Sequence, residues 1–356
     1  AYKEKLLEET RRVVELQKEC GIDVIVSGEL NRDNYMSYVA EVVDGIKLLN
    51  MEEVMSLTNN TDNFSKSLEE MDAADDTMNS PICFSKLDTK KRLNDFEFGI
   101  LKELVDGDIK CTLPSPYLLT RSMWLKEVTG KVYDGRRELG EDVVELLCNE
   151  IRELVESGAK IIQIDEPILS EVVFTNEKTD NSFYWGALSE KVKVDKELKF
   201  AKSLLTPVLA EIRKYEGVTS AMHVCRGNWT TDESVLLYGA YDKLGKFFDS
   251  LDVDMLALEF STPRAGEIEK LFFNNFLDTK IILGFGCINP RSERIESVEE
   301  IVERVEEVLQ FLPPEKIWLN PDCGFATFAK RPLNPYPIIQ KKLKNMVAAA
   351  QILRER

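Results

Sequence analysis

The chain has 356 residues, of which 44% are hydrophobic and 31% charged, with a net charge of −17. That is enough apolar material for a large core, and too acidic for a general affinity for nucleic acid or anionic membrane, which demands a basic face. No apolar run approaches the ~20 residues that span a bilayer, and Ala1-Tyr2-Lys3-Glu4-Lys5 lacks the apolar core of a secretion signal. Seven scattered cysteines form no dense disulfide framework and cannot all pair, so they read as reduced thiols of a cytoplasmic protein.

Strand and helix patterns alternate almost from end to end. Residues 3–20 are charged, with Leu6, Leu7, Val13, Val14 and Leu16 at apolar positions, which predicts a helix stopped at Gly21. Asp23–Glu29 then reads as a buried strand ending in a carboxylate. The acidic, polar stretch 59–80 predicts an exposed loop, and Pro81–Phe84 and Lys110–Pro114 read as further strands. Arg137–Ser157 is amphipathic at helical spacing, with Val143, Val144, Leu146, Leu147, Ile151 and Leu154 on one side.

Lys160–Pro167 is the next strand, followed by a loop holding Phe183-Tyr184-Trp185 and a long helix ending at about Lys214. Val218–Cys225, Met255–Phe260, Lys280–Cys287 and Ile317–Cys323 are later strands, each apolar at its start and chemically loaded at its end. Buried apolar strands interleaved with helices predict a parallel sheet. Polar chemistry at the C-terminal ends of many strands predicts an α/β fold of the (β/α)8 TIM-barrel type. A doubly wound sheet would gather its chemistry at one switch point and usually carry a glycine-rich phosphate loop. No such loop follows any strand, and no break in composition divides the chain, so residues 1–356 are expected to form a single barrel.

The run Ala221–Asn228 contains the only histidine. Residues two apart in a strand share a face, so His223 and Cys225 set an imidazole beside a thiol, a two-ligand edge for a borderline-soft ion such as zinc. Taken alone, such a pair is more often a hydrogen-bonded structural imidazole and a small buried thiol. Glu259, Asn289 and Cys323 fall at the ends of later strands, which a closed barrel would gather at one mouth. As bland alternatives, Glu259 would cap a helix and Cys323 would pack in a turn. A carboxylate ending an apolar strand nevertheless needs a partner.

Several segments together carry a resemblance. They are Ser27-Gly28-Glu29 with Asn31 to Tyr35, Ile162–Pro167, His223-Val224-Cys225, Leu258-Glu259, the glycine strand Leu283–Asn289 and Asn320–Gly324. In this order they resemble the catalytic barrel of the cobalamin-independent methionine synthase family and, more broadly, its zinc-dependent thiol-alkyltransferase relatives. The resemblance runs from about residue 4 to the C-terminus. It implies zinc held by His223, Cys225, Glu259 and Cys323, and homocysteine with its amino group on Glu29 and Asp165. Zinc deprotonates an incoming thiol outright, and two cysteine thiolates cancel the ion's charge, so the substrate sulfur stays nucleophilic. Glu259, an oxygen ligand among softer ones, is the one expected to yield to that sulfur. Glu259 and Asp165 are therefore the expected catalytic residues, and Glu29, Asp165 and Asn289 the expected substrate-binding ones.

The family also implies an extra hairpin or loop insertion near residues 45–90, with Pro81–Phe84 inside it. Its first strand, with a Gly-Ser-x-Pro segment, has no counterpart here, so that strand is expected to be missing, replaced or upstream of residue 1. Folate-using members carry an additional N-terminal barrel and a histidine where this chain has Asn289. Methyl on folate N5 leaves a tertiary amine and needs a positioned acid, whereas cob(I)alamin leaves readily without one. The expected donor is thus methylcobalamin or a methyl-corrinoid protein, ahead of methyltetrahydrofolate. The alternatives are an epoxyalkane:coenzyme M transferase, whose sulfonate would call on Arg226, Arg264 or Arg291, and a zinc-binding protein without activity.

Overall fold

The computed structural model describes residues 2–57, 79–174, 193–327 and 332–356. Its strands in chain order are β1 (Val24–Ile25), β2 (Ile46–Leu49), β3 (Ser80–Cys83), β4 (Asp108–Pro114) and β5 (Ile161–Asp165). They continue with β6 (Thr219–Val224), β7 (Met255–Glu259), β8 (Ile282–Ile288) and β9 (Ile317–Pro321). Seven of them form one sheet in the order β1-β4-β5-β6-β7-β8-β9, every pairing parallel. From β4 onward each strand's next neighbour in the sheet is also its next in the chain, the winding of a TIM barrel. This is the expected α/β architecture, with β1 and β9 as the edges of the sheet among the described residues.

The remaining two strands, β2 and β3, pair antiparallel with each other and stand apart from the main sheet. They are the insertion expected near 45–90, and Pro81–Phe84 belongs to it. Most of the polar stretch 59–80, and the segment Phe183-Tyr184-Trp185, lie outside the described residues.

Helices cover the outer face. Arg136–Glu156 buries Leu139, Val143, Leu146, Leu147, Ile151 and Leu154, the apolar side read from its spacing. Val194–Arg213 buries Leu204, Leu205, Val208 and Ile212 against the same layer. Within the strands the period of two holds: Ile162, Ile164, Met222, Val224, Leu256 and Leu258 are fully buried core residues. The alternate positions point into the barrel, where Gln163, His223 and Glu259 lie. No helix among the described residues is long and apolar enough to cross a membrane.

The first helix, Tyr2–Cys20, ends at Gly21 with φ +79° as its spacing predicts. The strand after it is shorter than the expected Asp23–Glu29. Gln17 explains the difference. Its side chain donates to the Val26 carbonyl at 2.8 Å and accepts from the Val26 N–H at 3.0 Å. Both backbone groups are thereby removed from the ladder, and the chain turns through Gly28 and Glu29, both at positive φ.

At the other edge, β8 approaches β9 closely because it carries glycines. A Cβ on Gly286 would lie 2.5 Å from Asp322 Oδ1 and 2.6 Å from the Leu258 carbonyl oxygen. Replacing that hydrogen with a methyl group must therefore push β9's polar end away from β7. Gly286→Ala should cost about 1–3 kcal/mol of stability, read as a lower urea midpoint.

Candidate active site at the strand ends

His223 ends β6 between two neighbours in register, Asp165 on β5 and Ala257 on β7. Its Nδ1 lies 2.9 Å from the Ala257 carbonyl oxygen, which only accepts, so Nδ1 donates the proton. That fixes the tautomer and aims Nε2 into the barrel. Nε2 is buried and makes no hydrogen bond. Cys225 follows two residues later on the same face, and Cys323 arrives from the end of β9. Ligand atoms of His223, Cys225 and Cys323 all lie within 4.8 Å of one another.

The protonation pattern of these groups suits a soft cation. The Cys323 thiol donates to Cys225 and, against the effect of burial, helps hold the latter down to about 5. The same hydrogen bond, together with burial, raises Cys323 well above the usual thiol range. Burial opposes charge on His223, but Cys225 and Asp165 raise it to about 9. A metal entering this trio displaces protons and takes over their charge. One orphaned imidazole nitrogen beside two sulfurs is the donor set that zinc takes.

Glu259 ends β7 only 1% exposed, yet it stands outside the 4.8 Å set. Its Oε2 lies 3.4 Å from Arg264 Nη2 and its Oε1 3.9 Å from Arg291 Nη1, and Oε1 has no hydrogen bond. Both arginines are buried, and both are held by other partners. Arg264 Nη1 donates to the Arg226 and Leu237 carbonyls, at 3.1 and 3.0 Å. Arg291 donates to Asp322 at 3.0 Å, to Asn228 at 3.2 Å and to Glu233 at 3.2 Å.

Asp322, beside Cys323, is the anchor of this corner. It accepts from Phe260 N–H at 3.0 Å, Ser261 N–H at 2.9 Å, the Ser261 hydroxyl and Arg291. Asn289 is also fully engaged. Its amide donates to Glu233 at 2.7 Å and its oxygen accepts from Arg291 N–H at 2.9 Å. The side chain expected to bind substrate thus braces the loop after β8.

Across the barrel, Glu29 accepts from the Thr112 hydroxyl and pairs with Arg32 at 3.3 Å. Its side chain stays about a third exposed, at 32%. Asp165 accepts from Gln163 at 2.7 Å, and burial raises its pKa. Between these acids lies a residue the sequence reading passed over, Lys110. Burial lowers its pKa while Asp165 and then Glu29 oppose that, and its Nζ donates to Gln163 at 2.9 Å. The signal was present, since the alternation Lys110-Cys111-Thr112-Leu113 puts Lys110 and Thr112 on one inward face.

Fold and site together define a barrel enzyme with a thiolate-and-imidazole centre at its strand ends. The family model for the catalytic domain of cobalamin-independent synthase matches residues 1–202 and 200–352. The chain belongs to this family, and with it to the methyltransferases of methionine-synthase type. A methionine synthase of Saccharolobus solfataricus is 27% identical over 338 residues, covering 94% of this chain and 80% of that protein. One from Sulfurisphaera tokodaii is 28% identical over 336 residues, covering 94% and 78% respectively. The fold matches that of a B12-independent methionine synthase from Shewanella sp. W3-18-1, solved in complex with selenomethionine. That match has a TM-score of 0.71 at 19% identity and covers 98% of this chain and 88% of the other.

Proposed function

We propose that this chain methylates homocysteine to methionine, with zinc held by His223, Cys225 and Cys323 and by Glu259 until the substrate's sulfur replaces it. The observation that carries this reading is the convergence of three donors with an orphaned Nε2. Bound zinc would supply a thiolate at neutral pH from a thiol that is otherwise mostly protonated. The residues supply placement. Glu29 and Asp165 offer the substrate ammonium two carboxylates, one of them partly open to the mouth. Burial raises the Asp165 pKa, and Lys110 is among the groups that oppose that rise.

The arginines weigh against a coenzyme M substrate. Arg226 donates to the Gly239, Glu259 and Ala265 carbonyls, Arg291 is committed as described, and of Arg264 only Nε is left without a hydrogen bond, too little to hold a sulfonate. The seven free cysteines suit a reducing, cytoplasmic setting.

For the donor, the family's description as cobalamin-independent points away from the methyl-corrinoid expected from Asn289. We take methyltetrahydrofolate in its place. Protonation of the folate nitrogen then falls to a group other than Asn289, which is bonded at both ends and has no net proton to give. Asp322 is equally unsuited, since its oxygens are already taken by four donors.

Three outcomes test this reading. Purified protein should hold about one zinc per chain, and Cys225→Ser or Cys323→Ser should lose most of it, because a hydroxyl is a poor ligand for a soft site. Full zinc in both variants, measured by mass spectrometry of the metal, would end the assignment. Glu29→Gln should raise the dissociation constant for homocysteine about tenfold with zinc content unchanged, the worth of one charge-assisted hydrogen bond. Titration calorimetry reads that. Finally, methyltetrahydrofolate supplied without any corrinoid should sustain methionine formation. Turnover with methylcobalamin alone would return the donor to the corrinoid class.

A further inference from the structure

The region around Glu259 combines fixed cations with a loosely held anion. Arg264 is pinned by two backbone carbonyls, and Arg291 by Asp322, Asn228 and Glu233. Neither needs Glu259 to stay in place. Glu259 itself is held at its backbone, where its N–H donates to the Tyr241 hydroxyl at 3.1 Å and its carbonyl accepts from Arg226 at 3.4 Å, while its side chain accepts one long hydrogen bond, from Arg264 Nη2. Its carboxylate contacts are long, 3.4 and 3.9 Å, and Oε1 has no hydrogen bond although it is buried. A buried carboxylate held beside two arginines by charge, with one oxygen left unbonded, keeps the freedom to take another partner. Rotation about its side-chain bonds is the one adjustment that leaves β7 intact.

We propose that Arg264 and Arg291 form a second seat for the Glu259 carboxylate, so that Glu259 exchanges between the metal and this arginine pair. The proposal rests on the zinc-site reading above and adds positioning residues to it. The seat has two opposite consequences. By competing for Glu259 it weakens the fourth bond to zinc. By receiving Glu259 when substrate sulfur arrives, it removes the penalty of stranding a buried, unpaired charge. Arg264 and Arg291 act through Glu259 and need no contact with the reacting atoms.

The opposite signs make the test specific. Zinc affinity is measured by competition with a chromophoric chelator, and homocysteine affinity by calorimetry on zinc-loaded protein. Arg264→Met should tighten zinc roughly fivefold and weaken homocysteine by roughly fivefold or more. Arg264→Lys, which keeps a cation at the seat, should restore both toward wild type. In a Glu259→Gln background, which has no charge to receive, Arg264→Met should move neither.

A merely structural role for Arg264 would weaken both affinities together, and that result overturns the proposal. So does an Arg264→Met effect that persists with Glu259→Gln. Should Arg264→Met fail to fold, Arg264→Gln keeps a polar amide at the position while removing the charge, and the same opposite shifts are expected. Wild-type protein that takes up no zinc overturns the zinc-site reading and this inference together. Zinc uptake with both affinities unmoved in the Arg264 variants overturns the inference alone.

Discussion

One buried carboxylate organises the active corner of the barrel. Asp322 sits immediately before Cys323, at the end of β9, and receives hydrogen bonds from Phe260, Ser261 and Arg291. These reach across β8 to the end of β7, possible only because Gly286 leaves room for the carboxylate. Cys323 is thereby delivered to the same point as Cys225, 98 positions earlier in the chain by the difference of their numbers. The parallel register then sets His223 beside them, with Ala257 choosing which imidazole nitrogen faces inward. Remove the Asp322 anchor and the trio has no reason to converge.

The scaffold around this corner is polar to an unusual depth. Arg226, Arg291, Glu259, Asp322 and Lys342 are all buried. Ion pairs of this kind seldom add stability over apolar packing, since desolvation offsets most of their attraction. They hold charge in fixed places. Arg226 shows the economy of this, stacking 3.6 Å from the Tyr241 ring centroid while donating to the carbonyls of Gly239, Glu259 and Ala265. At this mouth the Glu259 carboxylate lies between two such cations, 3.4 Å from Arg264 and 3.9 Å from Arg291.

Much of this was legible in the sequence, for physical reasons that differ by residue. His223 and Cys225 declared themselves through the period of a strand, and the long helix at 136–156 through its period of 3.6. The barrel followed from apolar strands with loaded ends. Side chains that act on backbone escaped notice. Gln17 cuts β1 short by capturing Val26, and nothing in the local pattern of Asp23–Glu29 announces it. Lys110 was hidden inside a strand whose alternation was read for apolar residues alone. Asn289 was located correctly but its engagement was not legible, because Glu233 lies 56 residues away in the chain.

The helix Tyr336–Arg354 reaches the site without touching it. Lys342 on it is fully buried, and its ammonium is held by the Asn289 and Arg294 carbonyls and by Glu296. Glu296 in turn accepts from Asn289 N–H, so the loop that carries Arg291 is fastened by this helix. The same helix lies against the first one, with Arg12 over the Tyr336 ring and the Cys20 thiol at the Gln340 carbonyl. Lys342 therefore acts at a distance: through Glu296 and Asn289 it steadies the loop whose Arg291 reaches Asp322, the residue next to Cys323.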